Sequence, residues 1–374
     1  MIRRYSRMSW FGVRKGKMVD IDPLEGWLMA SLDEIAPQRI RELQREAHEG
    51  LEALAAYLDN PPKRPDLRDG MRGLFWLRYS PAGFAAADVP RAQVVYRRVF
   101  EMGGAGSIDA QRTILTLLGG SADPQAIPFW LEMVDLNKRR DMFRQERVRL
   151  SLAALALTAI RHDETAAYAA LHRLTSHANP EIRAQAVFYL RHAYTDAGRA
   201  VPEAVLMDMF LVATQDKAFE PRFQARQLLR ASGQLAPLDN PGGVYDFKVM
   251  MLRNKRIYRT ITTRSEQTLA DLQGFIQHAF AWDNDHLYCF YMNGRKYDEC
   301  YQFACAYESD RPPWADEAII GELGLVKKHR FLYHFDYGDD HLFEIEVVDI
   351  RPDVREGNYP RLIDSHGKAP AQYA

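Results

Sequence analysis

Apolar residues at Ile35, Ile40, Leu43, Ala47, Leu51, Leu54 and Leu58 recur at the three-and-four spacing of a helix stripe, which predicts one long amphipathic helix over 35–58. A second stripe, Leu269, Leu272, Phe275, Ile276, Ala279 and Phe280, follows Thr268 with Asp271 three positions on. There a hydroxyl and a carboxylate can satisfy the free amides of a helix start. Elsewhere the period falls to two. Tyr245, Phe247, Val249 and Met251 alternate, then Ile257, Arg259 and Ile261, predicting paired strands around Arg253-Asn254-Lys255. Phe331, Tyr333, Phe335 and Tyr337 alternate before Gly338-Asp339-Asp340, and Phe343, Ile345 and Val347 alternate after it, a second hairpin. Leu287 to Met292 reads as a strand running into Asn293-Gly294, a pair suited to the positive φ of a tight turn, with Arg295 to Tyr301 returning from it. Asp316 to Leu323 predicts a short second helix in this part.

Composition sharpens this division. The 50 residues Ser151 to Ala200 hold fourteen alanines, whereas the 131 residues from Val244 onward hold ten, together with 21 of the chain's 42 aromatics. Alanine favours helices and close helix packing, while aromatic and β-branched residues favour strands. The fold class expected is therefore multidomain α and α+β: an all-α repeat array, then a compact antiparallel sheet with one or two helices. Two prolines and two glycines in Leu235 to Gly243 mark the join. The expected organisation is a basic segment and capping helices over 1–104, helical repeats over 105–235, a linker over 236–243 and an α+β domain over 244–374.

Within the helical part, Arg183, Gln185, Ala186, Leu190 and Arg191 align with Arg222, Gln224, Ala225, Leu229 and Arg230 at an offset of 39. Weaker matches place Arg149 and Arg112 upstream in similar apolar settings. Helix-opening signals precede the copies at Asp123-Pro124, Asn179-Pro180 and Glu220-Pro221, because proline in a first turn loses no bond and an acid or amide before it can cap. Asp123-Pro124-Gln125-Ala126-Ile127-Pro128 and Asn179-Pro180-Glu181-Ile182-Arg183-Ala184-Gln185-Ala186 resemble the helix starts of HEAT-like repeats over about 105–233. The resemblance implies stacked helix pairs that share a core and leave an extended surface for a macromolecular partner.

Four motifs in the second half carry another resemblance: Thr268-Leu269-Ala270-Asp271-Leu272, Trp282 to Phe290, Tyr333 to Asp340, and Tyr359-Pro360-Arg361-Leu362-Ile363 with Gly367 to Tyr373. Together they resemble the plasmid pRiA4b ORF-3-like family, some members of which are labelled transposon-passenger, resolvase-associated protein. The resemblance implies an α+β fold and no particular activity. This chain departs from the family where it has His341 and Phe343 in place of Trp and His, and Tyr288 in place of a second His.

Charge and chemistry restrict function further. With 49 basic and 50 acidic residues, the net charge of -1 removes any bulk pull toward nucleic acid or an anionic membrane. Three cysteines without CxxC spacing fit a reducing compartment, so a cytoplasmic location is expected, and no run approaches the ~18 apolar residues of a membrane span. No nucleophile elbow, phosphate loop or dinucleotide motif is present, and no cofactor is implied. The chain is accordingly expected to be a non-enzymatic scaffold that holds a protein partner. Two alternatives have named residues. His286, Asp336, Asp339, Asp340 and His341 are imidazoles and carboxylates able to ligate a divalent ion, as a metal-binding module or a metal-assisted hydrolase, although acids at a Gly-Asp-Asp turn also serve the turn's own backbone. Arg253, Lys255, Arg256, Arg259 and Arg264, with Arg3, Arg4, Arg7, Arg14, Lys15 and Lys17, suggest a nucleic-acid contact of the kind a mobile-element-associated protein would make. The period-two aromatic stripe from Phe331 to Tyr337 is expected in the sheet core.

Overall fold

A computed structural model describes residues 35–62, 66–79, 82–103, 106–136, 141–307, 313–352, 354 and 357–373, with the paired dipeptides β1 (Val13–Arg14) and β2 (Lys17–Met18). The basic residues Arg3, Arg4, Arg7 and Lys15 lie outside the described residues. A helical region over 37–231 is followed by an antiparallel sheet domain over 244–366 with one helix. No described helix is long and apolar enough to cross a membrane. The chain forms two compact units, residues 1–173 and 174–374.

The first unit contains α1 (Pro37–Asp59), α2 (Leu67–Gly70), α3 (Val89–Met102), α4 (Gly106–Ser121), α5 (Ile127–Asp135) and α6 (Arg144–His162), and α7 (Thr165–Leu174) reaches its boundary. The predicted stripe of α1 buries Ala47, Leu51, Leu54 and Leu58. Both α4 and α5 pack against α6, whose residues from Val148 to Ala159 are nearly all buried. Its alanines let neighbours approach on several sides. Arg147 is fully buried at the start of α6, where it donates to the Met133 carbonyl at 3.1 Å and the Leu136 carbonyl at 2.6 Å and pairs with Asp141. It thereby satisfies carbonyls at the end of α5 that have no helical partner. Gly83, at φ +62°, lies so close to the end of α4 that a Cβ would sit 2.2 Å from the Ser121 nitrogen.

The second unit opens with α8 (Pro180–Thr195), α9 (Glu203–Gln215) and α10 (Phe219–Ala231), and α10 packs against both α8 and α9. Asn179 caps α8 as the sequence indicated, its side chain accepting the Glu181 amide at 2.9 Å. For α10 the expected signal was misplaced. Glu220-Pro221 lies inside the first turn, and Asp216 instead accepts the Ala218 amide at 2.9 Å. The 39-residue offset has a structural counterpart. Arg183 donates to the carbonyls of His177 and Ala178, six and five residues before it, at 2.9 and 3.0 Å. Arg222 donates to those of Asp216 and Lys217, at the same two spacings, at 2.7 and 3.4 Å. Each arginine also reaches forward, Arg183 to the Asp216 carboxylate at 2.7 and 2.8 Å and Arg222 to the Gly324 carbonyl at 3.2 and 2.8 Å.

Seven antiparallel strands follow: β3 (Val244–Met251), β4 (Asn254–Arg264), β5 (Tyr288–Tyr291), β6 (Gln302–Ala304), β7 (Arg330–Phe335), β8 (His341–Arg351) and β9 (Arg361–His366), in spatial order β6-β5-β7-β8-β3-β4-β9. α11 (Leu269–Phe280) begins with the predicted reciprocal cap between Thr268 and Asp271. It lies on one sheet face, where Leu269, Leu272, Ile276 and Phe280 join Tyr245, Phe247, Phe331, Tyr333, Phe343 and Ile345 in one core, with Phe219 and Phe223 of α10. The Tyr333 hydroxyl, fully enclosed, accepts from Gln273 at 3.2 Å and Gln277 at 2.6 Å and so ties helix to sheet.

Several expectations change. Phe331, Tyr333 and Phe335 are core residues, but Tyr337 packs with Cys289, Tyr291 and Ala304 on the opposite side of the sheet, because Asp336 takes a left-handed conformation (φ 52°) that ends the alternation. Arg295 to Tyr301 do not return as a strand. Asn293 binds the Arg295 amide at 3.1 Å and Asp298 at 2.6 Å, closing the segment on itself, and only Gln302–Ala304 pairs. Asp316 to Leu323 gives a single 3-10 turn at Ile320–Glu322, since the Ile320 and Gly321 amides bond to Gln267 and Ser265 carbonyls at 2.9 and 2.8 Å instead of continuing a helix. Strand β9 had no alternating pattern to announce it. The second compact unit begins at Leu174, upstream of the linker at 236–243.

Candidate functional site

The β7–β8 turn needs left-handed backbone at Asp336 (φ 52°) and Asp340 (φ 56°), a conformation that aspartate tolerates better than most residues. Asp336 supports the turn with one carboxylate oxygen, Oδ1, which accepts the Gly338 amide at 2.9 Å and the Asp339 amide at 3.3 Å. Its other oxygen, Oδ2, faces His286 Nε2 at 3.4 Å. Asp336 is only 7% exposed, so its charge is held largely out of water.

Around that carboxylate the chain gathers residues from three segments. Asp336, Asp339 and His341 each offer a ligand atom, all within 4.8 Å of one another. His286, from the loop after α11, also approaches Asp285 at 3.6 Å. Two donors on one tetrahedral Zn²⁺, at about 2.0–2.1 Å each, stand roughly 3.3–3.4 Å apart. The His286–Asp336 separation of 3.4 Å matches that spacing, and His341 Nε2 to Asp339 at 4.0 Å would need a small adjustment.

A segment whose role in the site the sequence pattern did not reveal completes it. The Trp282 indole donates to the Pro370 carbonyl at 3.0 Å and packs its ring 4.6 Å from that of His341. Gln372 accepts the Asp283 amide at 2.5 Å and donates to the Asp283 carbonyl at 3.2 Å, while the Gln372 carbonyl lies 3.1 Å from His341 Nε2. The Tyr373 hydroxyl is 2.9 Å from both Asp285 oxygens and 3.1 Å from His286 Nε2. Partial desolvation, and then the Asp285 carboxylate, push this phenol up to about 12. The tail motif Gly367 to Tyr373 was the available signal, but nothing in its spacing points at His286 or His341.

Asp340 does not join this group. It pairs with Lys296 and lies 3.0 Å from His334 Nε2, on the side of the turn where Tyr337 packs. Burial, reinforced by the Lys296 charge, lowers the His334 imidazole to about 4. Desolvation is the largest single influence on Asp340 and raises it, but the Lys296 bond and charge, together with His334, more than offset it and hold the carboxyl below the usual range.

The basic candidates occupy varied settings. Arg259 is buried and donates to the carbonyls of Ala279, Tyr258, His366 and Gly367 at 2.8–3.2 Å, with Phe280 beneath its guanidinium. Lys255 pairs with Glu344 at 2.8 Å, Arg253 reaches the Asp339 carbonyl at 3.4 Å, and Arg264 bonds to the Val354 carbonyl at 2.9 Å and covers Tyr359. Arg256 is exposed, and its carbonyl faces His366 Nδ1 at 2.7 Å.

Residues 243–372 match the family described as Plasmid pRiA4b ORF-3-like protein. No curated protein matches the sequence. Among solved structures, a protein of unknown function, MM3350 from Methanosarcina mazei Go1, is similar at 22% identity over 35% of this chain and 73% of its own, with a TM-score of 0.31.

Proposed function

We propose that the α+β domain is a divalent-cation-binding module, with Asp336, Asp339 and His341 as ligands and His286 beside them. The observation that carries this reading is convergence: a buried carboxylate, a half-exposed one and an imidazole, from positions with no recognisable ligand spacing, bring donor atoms within 4.8 Å. Imidazole with carboxylate suits first-row ions such as Zn²⁺. Calorimetric titration of the full chain with Zn²⁺ should show one site, lost in His341→Ala and in Asp339→Asn. Stoichiometric binding that persists in both variants, or no binding by the wild type, overturns the reading.

A second reading concerns the helical region, where the exposed side of α9 favours a surface for a protein partner. Met207, Phe210 and Leu211 are 65%, 50% and 50% exposed and lie at the spacing of one helix face, while Val205, Met209 and Ala213 are buried on the other. The equivalent bonds of Arg183 and Arg222 support a HEAT-like repetition behind that face. α9 carries Glu203 and Asp208 and no basic residue, which suits an amphipathic partner bearing lysine or arginine. Met207→Glu with Phe210→Glu should leave unfolding within about 0.5 kcal/mol of wild type, because both sites are on the surface. The same double variant should abolish saturable binding of a lysine-rich amphipathic test helix. Equal binding by wild type and variant would exclude this face.

A further inference from the structure

Both histidines at the site are engaged through the nitrogen that would ordinarily ligate an ion. The Gln372 carbonyl can only accept, so His341 Nε2, 3.1 Å away, must carry the proton and donate it. The Tyr373 hydroxyl has a single proton, which its two 2.9 Å approaches to the Asp285 carboxylate direct there. Its oxygen therefore accepts, both from Gln372 Nε2 at 2.9 Å and from His286 Nε2 at 3.1 Å. The two imidazoles are thus fixed in the Nε2–H tautomer by one short stretch of chain. That stretch is itself anchored by Trp282 to the Pro370 carbonyl at 3.0 Å and by Gln372 to both backbone groups of Asp283.

We propose that Gly367–Tyr373 is a strap that competes with a divalent cation for His286 and His341, so that the ion binds only as the strap's last residues let go. The inference rests on the cation reading above. An ion that takes Nε2 requires each ring to hold its single proton on Nδ1, which breaks the bond to Gln372 or Tyr373 without net proton release. Asp285, freed of the Tyr373 hydroxyl, then stands 3.6 Å from His286 Nε2. Asp336 remains in place, because its Oδ1 is held by the turn and not by the strap.

The test compares Zn²⁺ titrations of the full-length wild type, Tyr373→Phe, Gln372→Ala and His341→Ala, with hydrogen exchange of the strap amides read with and without Zn²⁺. Tyr373 is 50% exposed, so removing its hydroxyl spares the fold. Tyr373→Phe should bind Zn²⁺ about tenfold more tightly, equivalent to about 1.4 kcal/mol, by removing the competitor. Gln372→Ala should shift affinity in the same direction, and amides of 367–373 should exchange faster when Zn²⁺ is added to wild type. Unchanged or weaker binding by Tyr373→Phe, or slower strap exchange with Zn²⁺, overturns the strap while binding that His341→Ala abolishes leaves the cation reading standing. Absence of Zn²⁺ binding in wild type and Tyr373→Phe alike overturns both.

Discussion

Two carboxylates close the same β7–β8 turn, Asp336 and Asp340, and both take left-handed backbone, yet their surroundings oppose each other. Asp340 is answered within the fold by Lys296, and the histidine it faces, His334, is 2% exposed. Asp336 faces His286 on the other side of the turn, where His341 and Asp339 also converge and where residues of a short strap bond to both imidazoles. The difference teaches where an ion could act. A half-exposed acid with a lysine beside it is already compensated, whereas a buried one facing imidazoles can gain further from a cation.

The comparison can be broken most severely at Trp282, which is buried among Phe280, Phe343 and His341 and anchors the strap. Trp282→Ala should cost about 3–5 kcal/mol in denaturant unfolding of this domain. A loss below about 1 kcal/mol would mean that the strap side is not integrated with the core.

Acid offers the next test. His334 and His329 both fall to about 4, chiefly through burial, against an ordinary value near 6.5. As pH drops from 6.5 to 4, the unfolded chain takes up these protons before the folded one does. Stability should therefore decline across that window, by at most about 1.4 kcal/mol per pH unit for each histidine, and level off below it. Unfolding free energies measured from pH 7 to 4 should show a reduced slope in His334→Gln.

Smaller effects sharpen the contrast. Lys296→Met should destabilise by about 0.5–1 kcal/mol, since the partly exposed Asp340 is screened by water, and should move the His334 titration upward by removing the nearby positive charge. NMR titration of the His334 ring reads that shift, and an unmoved midpoint would show that burial alone governs it. Asp339→Asn, on the exposed shoulder of the turn, should change stability by less than about 0.5 kcal/mol. A larger loss in thermal unfolding would give Asp339 a structural role that its position does not suggest.

Much of the architecture was legible. The α1 stripe, the Thr268–Asp271 cap and the alternation through β3, β4, β7 and β8 are local codes, and the described elements follow them. β9 was hidden because an edge strand with all six residues exposed needs no apolar alternation. The Glu220-Pro221 signal misled by a few positions because the helix already begins at Phe219, after Asp216 has taken the Ala218 amide. At the turn, the sequence pointed to acids and imidazoles of which the fold brings several close together, but it could not separate Asp340 from Asp336, whose turn positions are similar and whose neighbours differ.

By itself the sequence determined two regimes of chain, alanine-rich helices and an aromatic, alternating sheet, because helix and strand periods and helix caps depend on residues a few positions apart. Which histidine meets which carboxylate, and that Gln372 and Tyr373 return to hold His341 and His286, was decided only when residues roughly thirty to ninety positions apart were packed around one turn. Those pairings depend on strand register and on where Trp282 and Arg259 anchor the last segment, and no local spacing encodes either.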